Sequence, residues 1–346
     1  MSAETRPELM RAQQLYDLGR PAEALETAGL LLATAPDDPA ALRLAALCQS
    51  SLGRHEAAVV TGRAAVAADP DSEHARRILA HIHYKIGELR MAATIAQEAI
   101  RLAPEEWRGH MLLARCLCHF DPQRAVGPAE RSRELAPSSA ETHFTCALVY
   151  QALGRREEAR AAYHTVLDLN PQHAMAHNNL AVLDRFDRRW DNALRGFRRS
   201  LSSDPQQVLA RRNIEAILLA RVWRLTSIAI IGVIVLDTFA PVLGAFGQRV
   251  LGLAVLGALG GSVGAAVWQT RRAAGPAALR LLRTDRLVLL CGAVIATAFV
   301  FTLLAGVLRV FVITDQYTSV NLMITLLLCL LVFRVRNRTR RSAQQP

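Results

Sequence analysis

The chain has 346 residues and a formal net charge of +11 at pH 7, and 51% of its residues are hydrophobic although 21% are charged. The charge is uneven: residues 226–346 hold 12 of the 41 basic and 3 of the 30 acidic residues, a net of +9, so residues 1–225 have a net of +2. A nucleic-acid-binding protein concentrates its positive charge on a soluble face. Here most of the excess lies beside very apolar segments, which argues against a nucleic-acid partner and indicates a membrane protein.

The cysteines and the N-terminus indicate a reducing compartment. The six cysteines occur singly within helical patterns, so we expect buried small hydrophobic residues and no disulfide framework. The first ten residues, MSAETRPELM, lack the apolar core of a signal peptide. The first domain is therefore expected to stay in the cytoplasm.

A repeat of 34 residues, once 33, covers the first part of the chain. Each unit has a glycine that can end a first helix, an alanine that allows close packing of a second helix, and a proline that ends the second helix. This order predicts a helix–turn–helix unit. The glycines are Gly19, Gly53, Gly87 and Gly154, the alanines Ala24, Ala58, Ala92 and Ala159, and the prolines Pro36, Pro70, Pro104, Pro137, Pro171 and Pro205.

Residues 140–173 resemble a tetratricopeptide repeat, with Ala147, Tyr150, Gly154, Ala159, Tyr163 and Pro171 at the signature positions. Residues 174–207 are also similar, although Arg188 replaces the usual glycine, and the fourth unit, residues 107–139, departs most because Phe120–Asp121–Pro122 stand at its turn. The resemblance implies an all-α solenoid of about six repeats in residues 1–205. It implies protein binding but no particular process, because these repeats bind many unrelated proteins.

Four apolar segments follow a capping or linker helix, which we predict at 206–225. The segments at 226–246, 250–268 and 287–308 are long enough to cross a hydrocarbon core of ~30 Å, and the shorter one at 318–333 would cross it with its flanks. The sequence therefore predicts a four-helix transmembrane bundle after the solenoid.

Arginines set the expected orientation of this bundle. They cluster before the first span, between the second and third, and after the fourth in the basic tail 334–346, but are scarce in the other two connections. The positive-inside rule places these three clusters in the cytoplasm. We therefore expect a multi-pass protein of the bacterial inner membrane with its repeats and C-terminus in the cytoplasm.

Two polar side chains and a glycine pattern stand out within the predicted spans. Asp237 lies near the middle of the first span, and Arg309, near the outer end of the third, is its obvious partner. Such carboxylates mark ion paths in some proteins, but a structural carboxylate facing the bundle is the favoured interpretation. Gly257 and Gly261 in the second span permit close helix packing, within the bundle or, as the alternative, between copies of the chain.

The resemblance also indicates where a partner would bind. In this family the first helices of successive repeats line a concave face, and the matching positions here are mostly basic. Such a face suits an acidic segment or a C-terminal carboxylate; the alternative is a solvated helical surface. The candidate residues are His74, Arg77, His81 and Lys85 in the third unit, Arg108, Arg115 and His119 in the fourth, and Asn178 and Arg185 in the sixth.

No motif in the sequence calls for an enzyme, a metal or another cofactor. Cys116 and His119 can share a helix face, but Cys118 points elsewhere and no second ligand pair has zinc-site spacing. Packing of Cys116 in the core is the favoured interpretation, with Cys118 and His119 lining the groove. We find no phosphate-binding glycine loop, nucleophile elbow or hydrolase motif.

The leading hypothesis is a membrane-anchored scaffold that binds a protein segment in the concave groove. An alternative makes the membrane bundle a small transporter, channel or sensor that the repeats regulate, with Asp237 as its key residue. A chaperone-like assembly factor would differ from the scaffold only in its partner.

Overall fold

The computed structural model describes residues 5–217, and in this part the chain is an all-α solenoid of thirteen helices. Twelve helices form six helix–turn–helix pairs, and a thirteenth, α13, covers residues 208–217. The others are α1 (Thr5–Asp17), α2 (Pro21–Thr34), α3 (Pro39–Ser51), α4 (His55–Ala68), α5 (Glu73–Lys85), α6 (Leu89–Leu102), α7 (Trp107–Leu117), α8 (Pro122–Leu135), α9 (Ala140–Ala152), α10 (Arg156–Leu169), α11 (Ala174–Phe186) and α12 (Trp190–Ser203).

The turn inside each pair follows the predicted chemistry. Gly154 has a φ of +74°, which glycine adopts without strain, and it allows the chain to reverse between α9 and α10. The other three periodic glycines have φ between +74° and +86°. In the sixth repeat Arg188 takes the same role with a φ of +60°, a conformation that is unfavourable for a residue with a Cβ.

The prolines and alanines of the repeat also act as predicted. Each second helix ends two residues before the periodic proline; α10, for example, ends at Leu169 ahead of Pro171. The alanines five residues after the turn glycines are fully buried, which lets the two helices of a pair approach closely. The helix–turn–helix prediction is thus confirmed.

The fourth repeat differs from the others in its first helix. α7 has 11 residues and ends at Leu117, whereas the first helices of the other repeats have 13. The turn that follows has no glycine. Instead the Asp121 carboxylate accepts a hydrogen bond from the Arg124 amide at 3.3 Å and caps α8, which begins at Pro122.

Two compact units divide the chain, Met1–Ala176 and His177–Pro346, and their boundary falls within α11. In the first unit, consecutive first helices contact one another: α1 with α3, α3 with α5, α5 with α7, and α7 with α9. Consecutive second helices have few such contacts or none among the described residues. The first helices therefore form the inner, more closely spaced layer of this unit.

Between residues 5 and 217, no helix combines the length and the apolar character that crossing a membrane requires. The four predicted spans, with Asp237 and Arg309, lie outside the described residues, as does the basic tail. The transmembrane bundle therefore stays a prediction.

Candidate functional site

The inner face of the first unit carries the candidate residues of the third and fourth repeats. On α5, His74, Arg77, His81 and Lys85 are spaced three or four residues apart and share one side. The far side of α5 packs in the core through Ala75 and Leu79, and Ile78 and Ile82 are buried beside it. α5 is therefore amphipathic. Because its apolar residues pack in the core, its basic residues lie on the inner face.

An aromatic ring, Tyr84, organises part of this face. The Arg115 guanidinium lies over the Tyr84 ring, with its Cζ 5.1 Å from the ring centroid. His81 stacks against Tyr84 at 6.5 Å between centroids, and His119 lies tilted at 6.1 Å. Three of the predicted residues, from two successive repeats, are thus gathered around one ring.

Three cations of the inner face form no ion pair within the described part of the chain: Arg43, Lys85 and Arg115. The Nε of Arg115 is buried and has no hydrogen-bond partner. A buried N–H without a hydrogen-bond partner lowers the stability of the fold. An anion bound near Arg115 would accept hydrogen bonds from the Nη donors of the same guanidinium and so offset this loss. These residues come from α3, α5 and α7, so the unpaired charge extends over three repeats.

Two further predicted arginines are already paired by carboxylates of their own helices or caps. Arg77 Nε lies 2.7 Å from Glu73. Arg108 lies 3.0 Å from Glu106 and also over the ring of Trp107, at 4.5 Å. Neither carboxylate was among the residues predicted for this face. The inner face is therefore less positive than the candidate residues alone suggest.

Two imidazoles of the face, His74 and His81, are held in their neutral form. Burial lowers the pKa of His81 to about 4, and the charges of Lys85, Arg115 and Arg77 act in the same direction. Burial also lowers the pKa of His74 to about 4, assisted by Arg77, Arg43 and Arg108 and opposed by Glu106. At neutral pH His74 and His81 therefore add no positive charge to that of the arginines and Lys85.

The basic character ends at the fifth repeat. Glu141 on α9 occupies the position that His74 and Arg108 hold in the two preceding repeats, and it lies 3.8 Å from His173. The hydrogen bond with His173 lowers the pKa of Glu141, and Arg115 contributes a smaller effect of the same sign. Phe144 on the same helix stacks on His173 at 4.8 Å. The basic stretch of the first unit thus covers the second to fourth repeats.

The predicted residues of the sixth repeat belong to the second unit and form a polar network there. Asn178 is buried and accepts a hydrogen bond from Asn213 of α13 at 3.2 Å. Arg185 donates to Asn213 at 3.2 Å, and burial lowers its pKa. Asn178 therefore contributes mainly to packing between α11 and α13, and Arg185 has a neutral hydrogen-bond partner.

Within the Cys116–His119 stretch Cys116 packs in the core, whereas His119 is exposed beside Tyr84. Cys116 is fully buried, and burial raises the pKa of its thiol to about 12. The Cys118 thiol lies 3.6 Å from the carbonyl oxygen of Leu148 in the next repeat, and it is partly buried. No cluster that could hold a metal ion is present among residues 5–217.

A cleft of about 710 Å³ lies elsewhere, between α6, α7 and α8. Ile100, Leu113 and Pro128 provide its apolar lining, and it includes none of the candidate residues. It is formed largely by second helices, so it is separate from the inner face.

Besides the pairing carboxylates Glu73 and Glu106, the sequence prediction missed Arg43 and Tyr84. Arg43 stands 34 residues before Arg77, at the same position of the preceding repeat, and Tyr84 lies between His81 and Lys85. The repeat register was sufficient to find Arg43. Tyr84 had no distinguishing signal, because an aromatic residue on a helix is most often part of the core.

Comparisons with known proteins agree with this architecture. Residues 9–73 and 140–173 match family models described as tetratricopeptide repeats. No curated protein matches the chain by sequence.

The chain aligns with several solved structures, one of them with a TM-score above 0.5. A crystal structure of the APC/C hetero-tetramer Cut9–Hcn1 aligns with 17% identity and a TM-score of 0.55, over 61% of this chain and 42% of that one. Pseudomonas aeruginosa pilF aligns with 17% identity and a TM-score of 0.49, over 59% and 94% of the two chains. YrrB, a TPR protein with an unusual peptide-binding site, aligns with 20% identity and a TM-score of 0.39, over 54% and 96%.

At these identities the likeness concerns the fold alone, and this chain spans less than half of the Cut9–Hcn1 chain that it matches. The matched segments, the 34-residue period and the helix pairs nevertheless all agree. Residues 9–73 and 140–173 match tetratricopeptide repeats, and the described part of this chain has the helix–turn–helix solenoid fold of such repeats.

Proposed function

We propose that this protein is a membrane-anchored scaffold whose inner face holds an acidic or C-terminal segment of a protein partner. The solenoid would lie on the cytoplasmic side of a bacterial inner membrane. The segments predicted at 226–246, 250–268, 287–308 and 318–333 would anchor it. No catalytic step is part of this proposal.

One observation carries the choice of an anionic ligand: Arg43, Lys85 and Arg115 are cations of the inner face without an ion pair in the described residues. A carboxylate bound there gains charge-assisted hydrogen bonds, which are roughly twice as strong as neutral ones. The cations lie on three successive first helices, so an extended segment with several acidic groups can engage more of them than a single carboxylate can.

The Tyr84 cluster is the centre of the proposed contact. Stacking on Tyr84 fixes the plane of the Arg115 guanidinium, so less side-chain entropy is lost when a carboxylate binds it. His81 and His119 beside the same ring add further donors or acceptors. Glu141 bounds the basic stretch and repels an acidic segment that would extend into the fifth repeat.

Anchoring of the solenoid to the membrane would help it to bind partners that are also in the membrane. A protein fixed to the membrane meets membrane-bound partners at a high effective concentration, so a modest affinity for the segment is sufficient. The excess of arginine beside the apolar segments supports the orientation.

The proposal is tested by photo-crosslinking in cells with the full-length protein. The crosslinking residue replaces Met111, which lies on α7 three residues from Arg108 and four from Arg115 and is therefore on the same side as both. Captured partners are identified by mass spectrometry. We expect a discrete partner whose crosslink is lost in the double variant Arg43→Ala/Arg115→Ala.

Two controls make the result specific. A crosslinking residue at Val60, an exposed position of the second helix α4, should not capture the same partner. The variant Arg54→Ala/Arg63→Ala makes the same change of charge at exposed positions of the second repeat and should leave the crosslink intact. Capture that persists in Arg43→Ala/Arg115→Ala would refute the basic inner face as the binding site.

A further inference from the structure

The last described helix, α13, has two chemically different sides. Ala210, Ile214 and Ile217 are buried against Leu194 and Phe197 of α12. This contact accounts for the apolar residues on one side of α13. Val208, Leu209, Arg211 and Arg212, on the other sides of the helix, are exposed.

The opposite side of α13 combines apolar and basic residues. Val208 and Leu209 are 56% and 50% exposed and adjacent in sequence. Arg212 lies four residues from Val208 and three from Leu209, so the three share one side, and Arg211 borders it. Both arginines are exposed and form no ion pair in the described part of the chain, and Glu215, three residues from Arg212 and four from Arg211, offsets part of their charge.

The outer side of α12 adds positive charge in the same unit. Arg195, Arg198 and Arg199 are exposed, and the only hydrogen bond from their side chains to a described residue is that of Arg195 to the side-chain oxygen of Asn192, at 2.6 Å. The acidic residue Asp191 offsets part of this charge. The two helices together thus present five exposed arginines.

The position of α13 in the chain limits how far it can be from the proposed membrane anchor. Residue 217 is nine residues before the apolar segment at 226–246, and nine residues reach at most about 32 Å when extended. The intervening sequence includes Arg221 and Arg224. If that segment crosses the bilayer, α13 must lie close to the membrane surface.

We infer that the exposed side of α13 lies on an anionic bilayer surface, with Val208 and Leu209 at the boundary of the acyl chains and Arg211 and Arg212 on lipid phosphates. This inference rests on the proposed membrane anchoring. Mixed apolar and arginine faces of this kind bind at the interface through apolar burial together with attraction to anionic head groups. The contact would hold the end of the solenoid at the membrane.

The charges favour lipid over a protein segment as the occupant. Arg211 and Arg212, together with Arg221 and Arg224 of the linker, suit a surface that offers many phosphates. The attraction falls off within about 10 Å of the surface, and the short linker allows α13 to lie within that distance. An acidic protein segment bound at the same side is an outcome that the experiment distinguishes.

The test uses the full-length protein reconstituted into vesicles of phosphatidylcholine, with or without phosphatidylglycerol. An environment-sensitive fluorescent amino acid replaces Leu209. We expect its emission to shift to shorter wavelength in the anionic vesicles and much less in phosphatidylcholine alone. The variant Arg211→Gln/Arg212→Gln should weaken this docking about thirtyfold, since each arginine contributes about fivefold at an anionic surface.

Flotation of the same vesicles after an alkaline wash reports anchoring separately. The variant Arg54→Gln/Arg63→Gln is the charge-matched control and should leave the shift unchanged. Two outcomes overturn the inference and leave the anchoring intact. In the first, the protein floats with both kinds of vesicle but the emission does not shift. In the second, the emission shifts equally in both kinds of vesicle. A shift in the anionic vesicles that Arg211→Gln/Arg212→Gln leaves unchanged indicates a contact other than lipid phosphate and also overturns it. Failure to float in either lipid overturns the anchoring, and the inference with it.

Discussion

The guanidinium of Arg115 in the fourth repeat lies over the ring of Tyr84 in the third, with 5.1 Å between its Cζ and the ring centroid. The contact joins two successive first helices across the inner face. It orients a cation that has no carboxylate partner among the described residues. Because this cation is held with a buried donor unpaired, we expect that it can be replaced without loss of stability.

Replacing Arg115 by methionine should separate binding from stability. The methionine side chain retains packing on Tyr84 and removes the unpaired Nε, so the free energy of unfolding should stay the same or rise by up to about 1 kcal/mol. The affinity for a glutamate-rich peptide should fall about 10- to 100-fold, because one charge-assisted hydrogen-bonding group is lost. Fluorescence anisotropy of a labelled peptide measures the affinity, and amide hydrogen exchange of α7 measures the stability. If Arg115→Met lowered the peptide affinity and the free energy of unfolding by equal amounts, Arg115 would act structurally.

The stability of α5 should fall as the pH is lowered from about 6.5 to 4. His81 has a pKa of about 4 in the folded protein and about 6.5 when unfolded, so the unfolded state binds the proton more tightly. Its contribution is fully present above the unfolded pKa and is lost as the pH falls through the folded pKa. The loss is at most about 3 kcal/mol, and solvent screening reduces it.

Hydrogen exchange of the α5 amides at pH 7 and at pH 4.5 tests this dependence. Carboxylates also titrate in this range, so the comparison is with His81→Asn, which removes only the imidazole. The variant should show a flatter pH dependence than the original protein. Parallel curves for the two proteins would show that His81 makes no contribution.

Replacing Arg188 by glycine should stabilise the sixth repeat. Arg188 has a φ of +60°, where a Cβ costs about 1–2 kcal/mol, and part of the gain is offset by the greater freedom of glycine in the unfolded chain. We expect a net gain of about 0.5–1 kcal/mol. Protection of the α11 and α12 amides measures it. The reverse change at a matched turn, Gly154→Ala at a φ of +74°, should destabilise the fifth repeat by a similar amount.

Adding one methyl group at Gly196 should destabilise the second unit. A Cβ at this position would lie 2.7 Å from the Cβ of Ala181 and 3.3 Å from the carbonyl oxygen of His177, so α11 and α12 must move apart. Overpacking of this kind costs about 1–3 kcal/mol, which exceeds the helix-propensity gain of about 1 kcal/mol. Gly29→Ala in α2 is the control, because its Cβ meets nothing within 4 Å and it should stabilise that helix. Equal effects at the two sites would contradict close packing at Gly196.

The repeat, the helix boundaries and the turns could be predicted from the order of residues alone. Glycine and proline act on their own backbone, so the 34-residue period located the helix ends near Gly154 and Pro171 without knowledge of the neighbours. Helical spacing was also sufficient to place His74, Arg77, His81 and Lys85 on one side of α5. The membrane spans lie outside the described residues and stay predictions.

Which charges of the inner face are free could be seen only after the helices were packed. Arg77 and Arg108 look equivalent to Arg115 in the sequence, yet Glu73 and Glu106 pair with them and no described carboxylate pairs with Arg115. The placement of Arg115 over Tyr84 depends on the contact between α5 and α7, which are distant in sequence. Periodicity predicts the side of a helix on which a residue lies, but charge pairing and burial depend on atoms of neighbouring helices, whose positions follow only from the tertiary fold.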